Sequence, residues 1–151
     1  MTHQIEVSRV INATPASVYA VVSDLARMGE FSPENTGGKW LKGATGPSVG
    51  AKFQGTNAIG RRKWKTIATV TKALPAEEFA FDVTATGMKV AGWGFAIEAV
   101  DGGTKLTQYW DDHRNPVTRK LTGIALGVPD RRVRNTANME ATMDKIAAVT
   151  G

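Results

Sequence analysis

The chain has 151 residues, 42% of them hydrophobic, and 19 Lys and Arg against 14 Asp and Glu give a formal charge of +5. A chain of that length has the size of one domain and buries roughly two-thirds of its unfolded surface. The lack of cysteine excludes disulfides, thiolate metal sites and a Cys nucleophile. Residues 1–12 do not read as a signal peptide, and no apolar run approaches the roughly 20 residues that span a bilayer. A cytoplasmic protein without stable membrane insertion is the expectation. The basic residues read as scattered, with no accompanying motif, so a solvated basic surface is expected rather than nucleic-acid binding.

Ile5, Val7 and Ile11, with Glu6 and Ser8 between them, predict an opening strand whose alternation Arg9-Val10 interrupts. Thr14 followed by Pro15 is a helix start. The hydroxyl can cap a free N–H, and proline at the first helical position gives up a bond that would not form there. Val18, Tyr19, Val21, Val22 and Leu25 carry that helix, which fades over Asp24 to Met28. Gly29 to Pro33 is a break or the end of a second short helix.

From Lys39 the period changes to two. A strand closing at Trp40-Leu41 is followed by a loop at Gly43 to Pro47 and a strand over Val49 to Asn57. A turn at Ala58 to Arg61 leads into Trp64 to Lys72. Phe79, Phe81 and Val83 form the next inward row, and Gly87 to Gly92 reads as a connection in which Met88 to Val90 can still pair. Trp93, Phe95, Ile97 and Ala99 come before Asp101-Gly102-Gly103, which suits a tight hairpin. Thr104, Leu106, Gln108 and Trp110 complete the sheet.

The last third, Asn115 to Val149, predicts one or two amphipathic helices. Their apolar stripe is Leu121, Ile124, Ala125, Val128, Val133, Thr136, Ala137, Met139, Met143, Ile146 and Ala147. Gly127 and Pro129 break the segment, so the long helix starts near Asp130, with a hinge before it. The whole is α+β, a single domain over residues 1–151.

Four stretches in this order resemble the START-like (SRPBCC) superfamily, which includes polyketide cyclase/dehydrase-like proteins. They are Val10 to Asp24; Gly50 to Phe53 leading to Trp64 and Val70; Trp93 to Ile97 before Gly102 to Thr104; and Asn138 to Met143. The resemblance covers nearly the whole chain. It implies a helix-grip fold, a curved antiparallel sheet of about seven strands wrapped around the C-terminal helix, with an apolar cavity between. It also implies a lipid, polyketide or other hydrophobic small molecule as ligand. The superfamily shares no one catalytic set, so no catalytic residue carries over.

Within that frame the aromatics on inward rows, Phe53, Trp64, Phe79, Phe81, Trp93, Phe95 and Trp110, are either core or the lining of a site. Asn57, Thr66 and Gln108 share their register, and a buried amide without a partner costs about 1–3 kcal/mol. A pocket with a few polar groups among apolar walls accommodates them. Met139 and Met143 would supply adaptable thioethers on the helix side. The ligand-binding set is therefore Phe53, Asn57, Trp64, Thr66, Phe81, Trp93, Phe95, Gln108, Trp110, Met139 and Met143.

Asp111-Asp112-His113-Arg114 is the densest titratable cluster. His113 with Asp111 is the only candidate acid–base pair, because His3 lies near a terminus expected to move. Asp112 and His113 are neighbours on a strand and face opposite ways, so they need not meet, and the cluster reads rather as an ionic end to the sheet, pairing with Arg131, Arg132 or Arg134. Two distant histidines offer no metal site, and neither a Gly-x-Ser-x-Gly elbow nor a phosphate-binding glycine loop occurs. The expectation is binding or transport of a hydrophobic molecule, without cofactor or metal. The alternative is a polyketide cyclase/dehydrase-type enzyme. Neither the ligand nor an oligomeric state follows from the sequence.

Overall fold

The computed structural model describes residues 3–44, 46–85, 87–117, 119–121 and 131–150, with nothing said of the side chain of Arg132. Alternating apolar and polar residues produce seven strands: β1 (Ile5–Ile11), β2 (Asn35–Trp40), β3 (Lys52–Ile59), β4 (Arg62–Leu74), β5 (Glu78–Ala85), β6 (Met88–Val100) and β7 (Gly103–Asp112). They form one antiparallel sheet in the order β1-β7-β6-β5-β4-β3-β2. All neighbours except β1 and β7 are consecutive in sequence, so short hairpins build most of the sheet. The first strand returns to pair with the last, Val7 opposite Gln108.

Between β1 and β2 lie the helix α1 (Pro15–Val22) and a 3-10 helix, Leu25–Glu30. The start of α1 is as expected: Thr14 is the N-cap, its hydroxyl accepts from Ser17 N at 3.2 Å, and Pro15 opens the helix. The long helix α2 (Arg131–Thr150) packs against β1 and α1, and α1 in turn lies on β5, β6 and β7. The result is the expected helix-grip arrangement, an open curved seven-stranded sheet with a C-terminal helix on its inner face.

Three expectations need correction. β1 runs unbroken through Arg9 and Val10, because Arg9 shares the inner face and its guanidinium pairs with Asp144 and Glu140 of α2. The Gly87–Gly92 connection is shorter than its outer bounds, because Met88 and Lys89 pair with β5, as the sequence allowed, and Val90 is the extra residue at a register shift in β6. The apolar stripe of α2 is also rotated. Met139, Met143 and Ile146 are buried together with Asn135 and Thr142, whereas Val133 is 70% exposed and Thr136 and Ala137 face solvent. Val133 lies over 90° round the helix from Met139, so it cannot share that seam. Ile124, Ala125, Val128 and the hinge near Gly127 and Pro129 lie outside the described residues.

The core joins Ile11, Val18, Val22, Phe79, Phe95, Leu106, Met139, Met143 and Ile146 into one cluster, each almost wholly buried. At about 1.5–3 kcal/mol for each large apolar side chain removed from water, this junction of sheet, α1 and α2 is the main source of stability.

Candidate functional site

Strand register sorts the candidate residues on one face. Across the sheet Trp110 stands opposite Trp93, which stands opposite Phe81, and Gln108 opposite Phe95. Phe81 in turn faces Val70, Phe53 faces Ala68, and Asn57 faces Trp64. Phe53, Asn57, Trp64, Thr66, Phe81, Trp93, Phe95, Gln108 and Trp110 thus all project from the inner side of the sheet, the side that carries α2. Met139 and Met143 come from the helix.

Burial changes along this face. Phe53, Phe95, Trp110, Met139 and Met143 are almost wholly buried, whereas Asn57, Trp64, Thr66, Phe81 and Trp93 are only half-buried. The apolar inner face therefore has a sealed end, against α1 and the C-terminal turns of α2, and an open end. At the open end Asn57 Nδ2 donates to Thr66 Oγ1 at 3.1 Å. Deeper in, Gln108 is 6% exposed. Its Oε1 is the buried side-chain polar atom without a hydrogen-bond partner among the described residues. An unpaired amide oxygen in such surroundings carries its full desolvation cost, and a donor on a bound molecule would relieve it.

Sequence reasoning missed the residue that organises the open end. Glu34, between the 3-10 helix and β2, is buried and accepts from Arg131 Nη1 at 2.7 and 2.8 Å, Arg134 Nε at 3.2 Å and Asn138 Nδ2 at 2.5 Å. The Arg131 guanidinium also lies 5.8 Å from the centre of the Trp64 ring, a cation–π distance. Arg131 and Arg134 were expected to pair with Asp111 or Asp112. Glu34 takes them instead, and it places an anion by a helix start that the arginines alone would make unfavourable. A lone acid after Ser-Pro gives no periodic or motif signal, so only the fold finds it.

The carboxylates at the end of β7 are engaged elsewhere. Asp112 accepts from Arg114 Nε and Nη2, both at 2.8 Å, and from Arg119 Nε at 3.2 Å. Burial alone would raise its pKa, but the hydrogen bonds and charge of Arg114, with the charge of Arg119, hold it below the ordinary carboxylate value. Asp111, on the outer face, contacts His3 Nδ1 at 2.6 Å and accepts from Gln4 N at 3.0 Å. Burial opposes its ionisation too. The His3 and Gln4 hydrogen bonds and the nearby charges of His3 and His113 outweigh it and lower the pKa.

His3 is not a loose terminus. Its ring stacks on Tyr109 at 3.7 Å and 15° between planes, and the Tyr109 hydroxyl donates to Glu78 Oε2 at 2.5 Å. Burial, then the Glu78 hydrogen bond and charge, push that phenol well above its ordinary pKa. The ring lies flat on Gly94, where any Cβ would overlap it. His113 is exposed, with its Nε2 over Gly92 on the outer face beside Asp82. His113 and Asp111 thus stand on the side of the sheet away from the inner aromatics. Among the described residues no group of three or more His, Cys, Asp or Glu could hold a metal ion, and no helix is long and apolar enough to cross a membrane.

The sequence matches the family described as polyketide cyclase/dehydrase and lipid transport over residues 2–150. A polyketide-cyclase-like protein of Corynebacterium glutamicum, Cgl2372, is 31% identical, with a TM-score of 0.65 over 96% of this chain and 89% of its own. Protein CV1439 of Chromobacterium violaceum is 17% identical with a TM-score of 0.71, over 97% of this chain and 96% of that one. The di-domain ARO/CYC StfQ of the steffimycin biosynthetic pathway is 12% identical with a TM-score of 0.71, over 95% of this chain but 49% of its own. No curated protein matches the sequence. The chain belongs to the polyketide cyclase/dehydrase and lipid transport family.

Proposed function

We propose that this family member acts as one helix-grip domain over residues 1–151, holding a hydrophobic small molecule between the sheet and α2. The ligand class is a lipid or polyketide-like compound, taken up for storage or transport in the cytoplasm. Family membership supports a ligand-binding or cyclase role in general. The observation that favours binding is the graded inner face, a sealed apolar floor with a half-open aromatic end. Phe53, Phe81, Trp93, Phe95 and Trp110 would supply apolar contact, with Met139 and Met143 adapting to shape. Asn57, Thr66 and Gln108 would orient the polar part of the ligand.

The test is native mass spectrometry of the protein purified from its own host, followed by titration with fatty acids and an aromatic polyketide. Because Trp64, Trp93 and Trp110 share the face, tryptophan fluorescence reports occupancy directly. A protein that carries no co-purifying molecule, and whose fluorescence ignores every titrant, would overturn the proposal.

The alternative is a cyclase/dehydrase-type enzyme acting on a bound polyketone, and the Asn57–Thr66 pair at the open end is what favours it. Holding a flexible chain folded can remove several kcal/mol of barrier without strong acid–base groups. Asn57 and Gln108 would then orient carbonyls. His113, exposed on the other side of the sheet, would have no part in it. Turnover of an offered polyketone that Asn57→Ala abolishes and His113→Ala leaves intact would select this reading.

A further inference from the structure

The net positive charge of the protein arises in one part of the fold. Residues 35–74 hold eight lysines and arginines and neither aspartate nor glutamate, whereas the rest of the chain has eleven cations against fourteen carboxylates. Those forty residues are β2, β3, β4 and their connections, so adjacent strands bring together what is spread out in sequence. Register puts Lys39, Lys52, Lys63 and Lys65 on the side of the sheet opposite Trp40, Phe53 and Trp64. Arg61 and Arg62 form the tip of the β3–β4 hairpin. Among the described residues none of these six cations pairs with a carboxylate. Lys72–Glu78 and Lys89–Asp82, on β4–β5 and β5–β6, border the patch along the sheet, and Arg131–Glu34 borders it at Trp64. A depression of about 420 Å³ lined by Gln54, Trp64, Lys65, Thr66, Ile67 and Thr84 adjoins it.

We propose that this outer face and hairpin tip dock the protein on the surface of an anionic lipid bilayer. Charge complementarity sets the sign of the partner. Clusters of four to eight Lys and Arg beside apolar groups are the pattern that recognises acidic headgroups. The tip, Ile59-Gly60-Arg61-Arg62-Lys63-Trp64-Lys65, carries its basic residues at the hairpin end and on the outer face, with Trp64 turned to the inner face beside them. Only Arg61 and Arg62, at the hairpin tip, could reach into a groove; the other four cations lie across the outer face of the sheet, so a broad lipid surface fits better than a duplex. Trp64 is also at the open end of the inner face, beneath Arg131. Docking through this tip would bring that opening to the bilayer. Only this last consequence rests on the proposed binding function; the docking itself needs no occupant in the fold.

The test uses the full chain and co-sedimentation with vesicles of phosphatidylcholine alone, or mixed equally with phosphatidylglycerol. Binding is expected to the mixed vesicles at low ionic strength and not to the neutral ones, with release as salt rises. The paired reversals Arg61→Glu/Arg62→Glu and Lys63→Glu/Lys65→Glu should each weaken it by roughly tenfold or more. Lys105→Glu/Lys145→Glu, the same charge change outside the patch, should leave it within about twofold. Circular dichroism and the unfolding midpoint establish that each variant is folded, and the two reversals stand independently if one is not. Equal sedimentation with neutral vesicles, no binding at all, or equal loss in the Lys105/Lys145 variant would overturn the proposal. So would tighter binding to duplex or single-stranded oligonucleotides than to the acidic vesicles. Vesicle binding by protein that takes up no titrant would separate the failure of the functional reading from that of the docking.

Discussion

Arg131 Nη1 donates to both carboxylate oxygens of Glu34, at 2.7 and 2.8 Å, and so ties the first turn of α2 to the segment that leads into β2. Arg134 and Asn138 reach the same carboxylate from the next two turns. One buried anion fixes how the start of the helix sits over the half-open end of the inner face.

Glu34→Gln should therefore be costly. It removes the charge that two arginines share and leaves Arg131 partly buried without a counter-ion, a loss of roughly 2–4 kcal/mol. Arg134 is more exposed and is screened, so Arg134→Ala should cost under about 1 kcal/mol. Urea unfolding of both variants checks the contrast. Equal and small shifts in midpoint would show that the cluster is decorative.

Gln108→Met should behave in the opposite sense. The substitution keeps the volume and removes an amide whose Oε1 has no partner among the described residues, so the empty protein should be as stable or up to about 1 kcal/mol more stable. Affinity for a hydroxyl-bearing ligand should fall about tenfold, the equivalent of 1.4 kcal/mol. Thermal unfolding without ligand and a fluorescence titration measure the two effects separately. A destabilised variant with unchanged affinity would make Gln108 a structural residue.

Asp112 predicts a dependence on acid. Its folded pKa lies below the ordinary 3.8, so the ionised carboxylate is favoured by folding. That stabilisation is complete at pH well above 3.8 and is lost as the pH falls through the depressed folded value. Asp112 and Arg114 side chains are 6% and 7% exposed, so Asp112→Asn should cost roughly 2–3 kcal/mol at neutral pH. It should also flatten the fall of the unfolding midpoint below about pH 4. Parallel acid curves for the variant and the parent protein would remove Asp112 from the account.

Ala76 offers a gain. The β4–β5 turn is closed by Glu77 N donating to Leu74 O at 2.9 Å, and Ala76 holds φ at 62°. Pro75 before it and a positive φ at the next position describe a type II turn, where an L-residue is strained by about 1 kcal/mol. Ala76→Gly should raise stability by roughly 0.5 kcal/mol after the added freedom of the unfolded chain is subtracted. A lower midpoint would show that the Ala76 side chain contributes more than its strain costs.

Much of the fold is legible locally. Thr14-Pro15 marks the start of α1 because capping is a contact between residues three apart. The alternation from Phe53 to Trp110 sorts the inner face because a strand has period two and each hairpin carries that phase to its neighbour. Phe53, Asn57, Trp64, Thr66, Phe81, Trp93, Phe95, Gln108 and Trp110 were placed on one face by that rule, and the strand register agrees. Val133 and Ala137 were set on the buried stripe of α2 because apolar spacing alone does not say which of two overlapping stripes meets the sheet.

Ionic partners were a different matter. His3 finds Tyr109 and Asp111 across more than one hundred residues, and Arg131 finds Glu34 across 97. The cations of β2, β3 and β4 are spaced along the chain and become a patch only where adjacent strands bring them together. The sequence by itself determined the α+β class and the strand faces, because periodicity and capping act over a few residues, and its resemblance to known proteins pointed to the family. Only the tertiary structure decided which charges meet, which amide is left unpaired and where the inner face opens. Those depend on how a curved sheet brings distant ends together, and no local pattern encodes that.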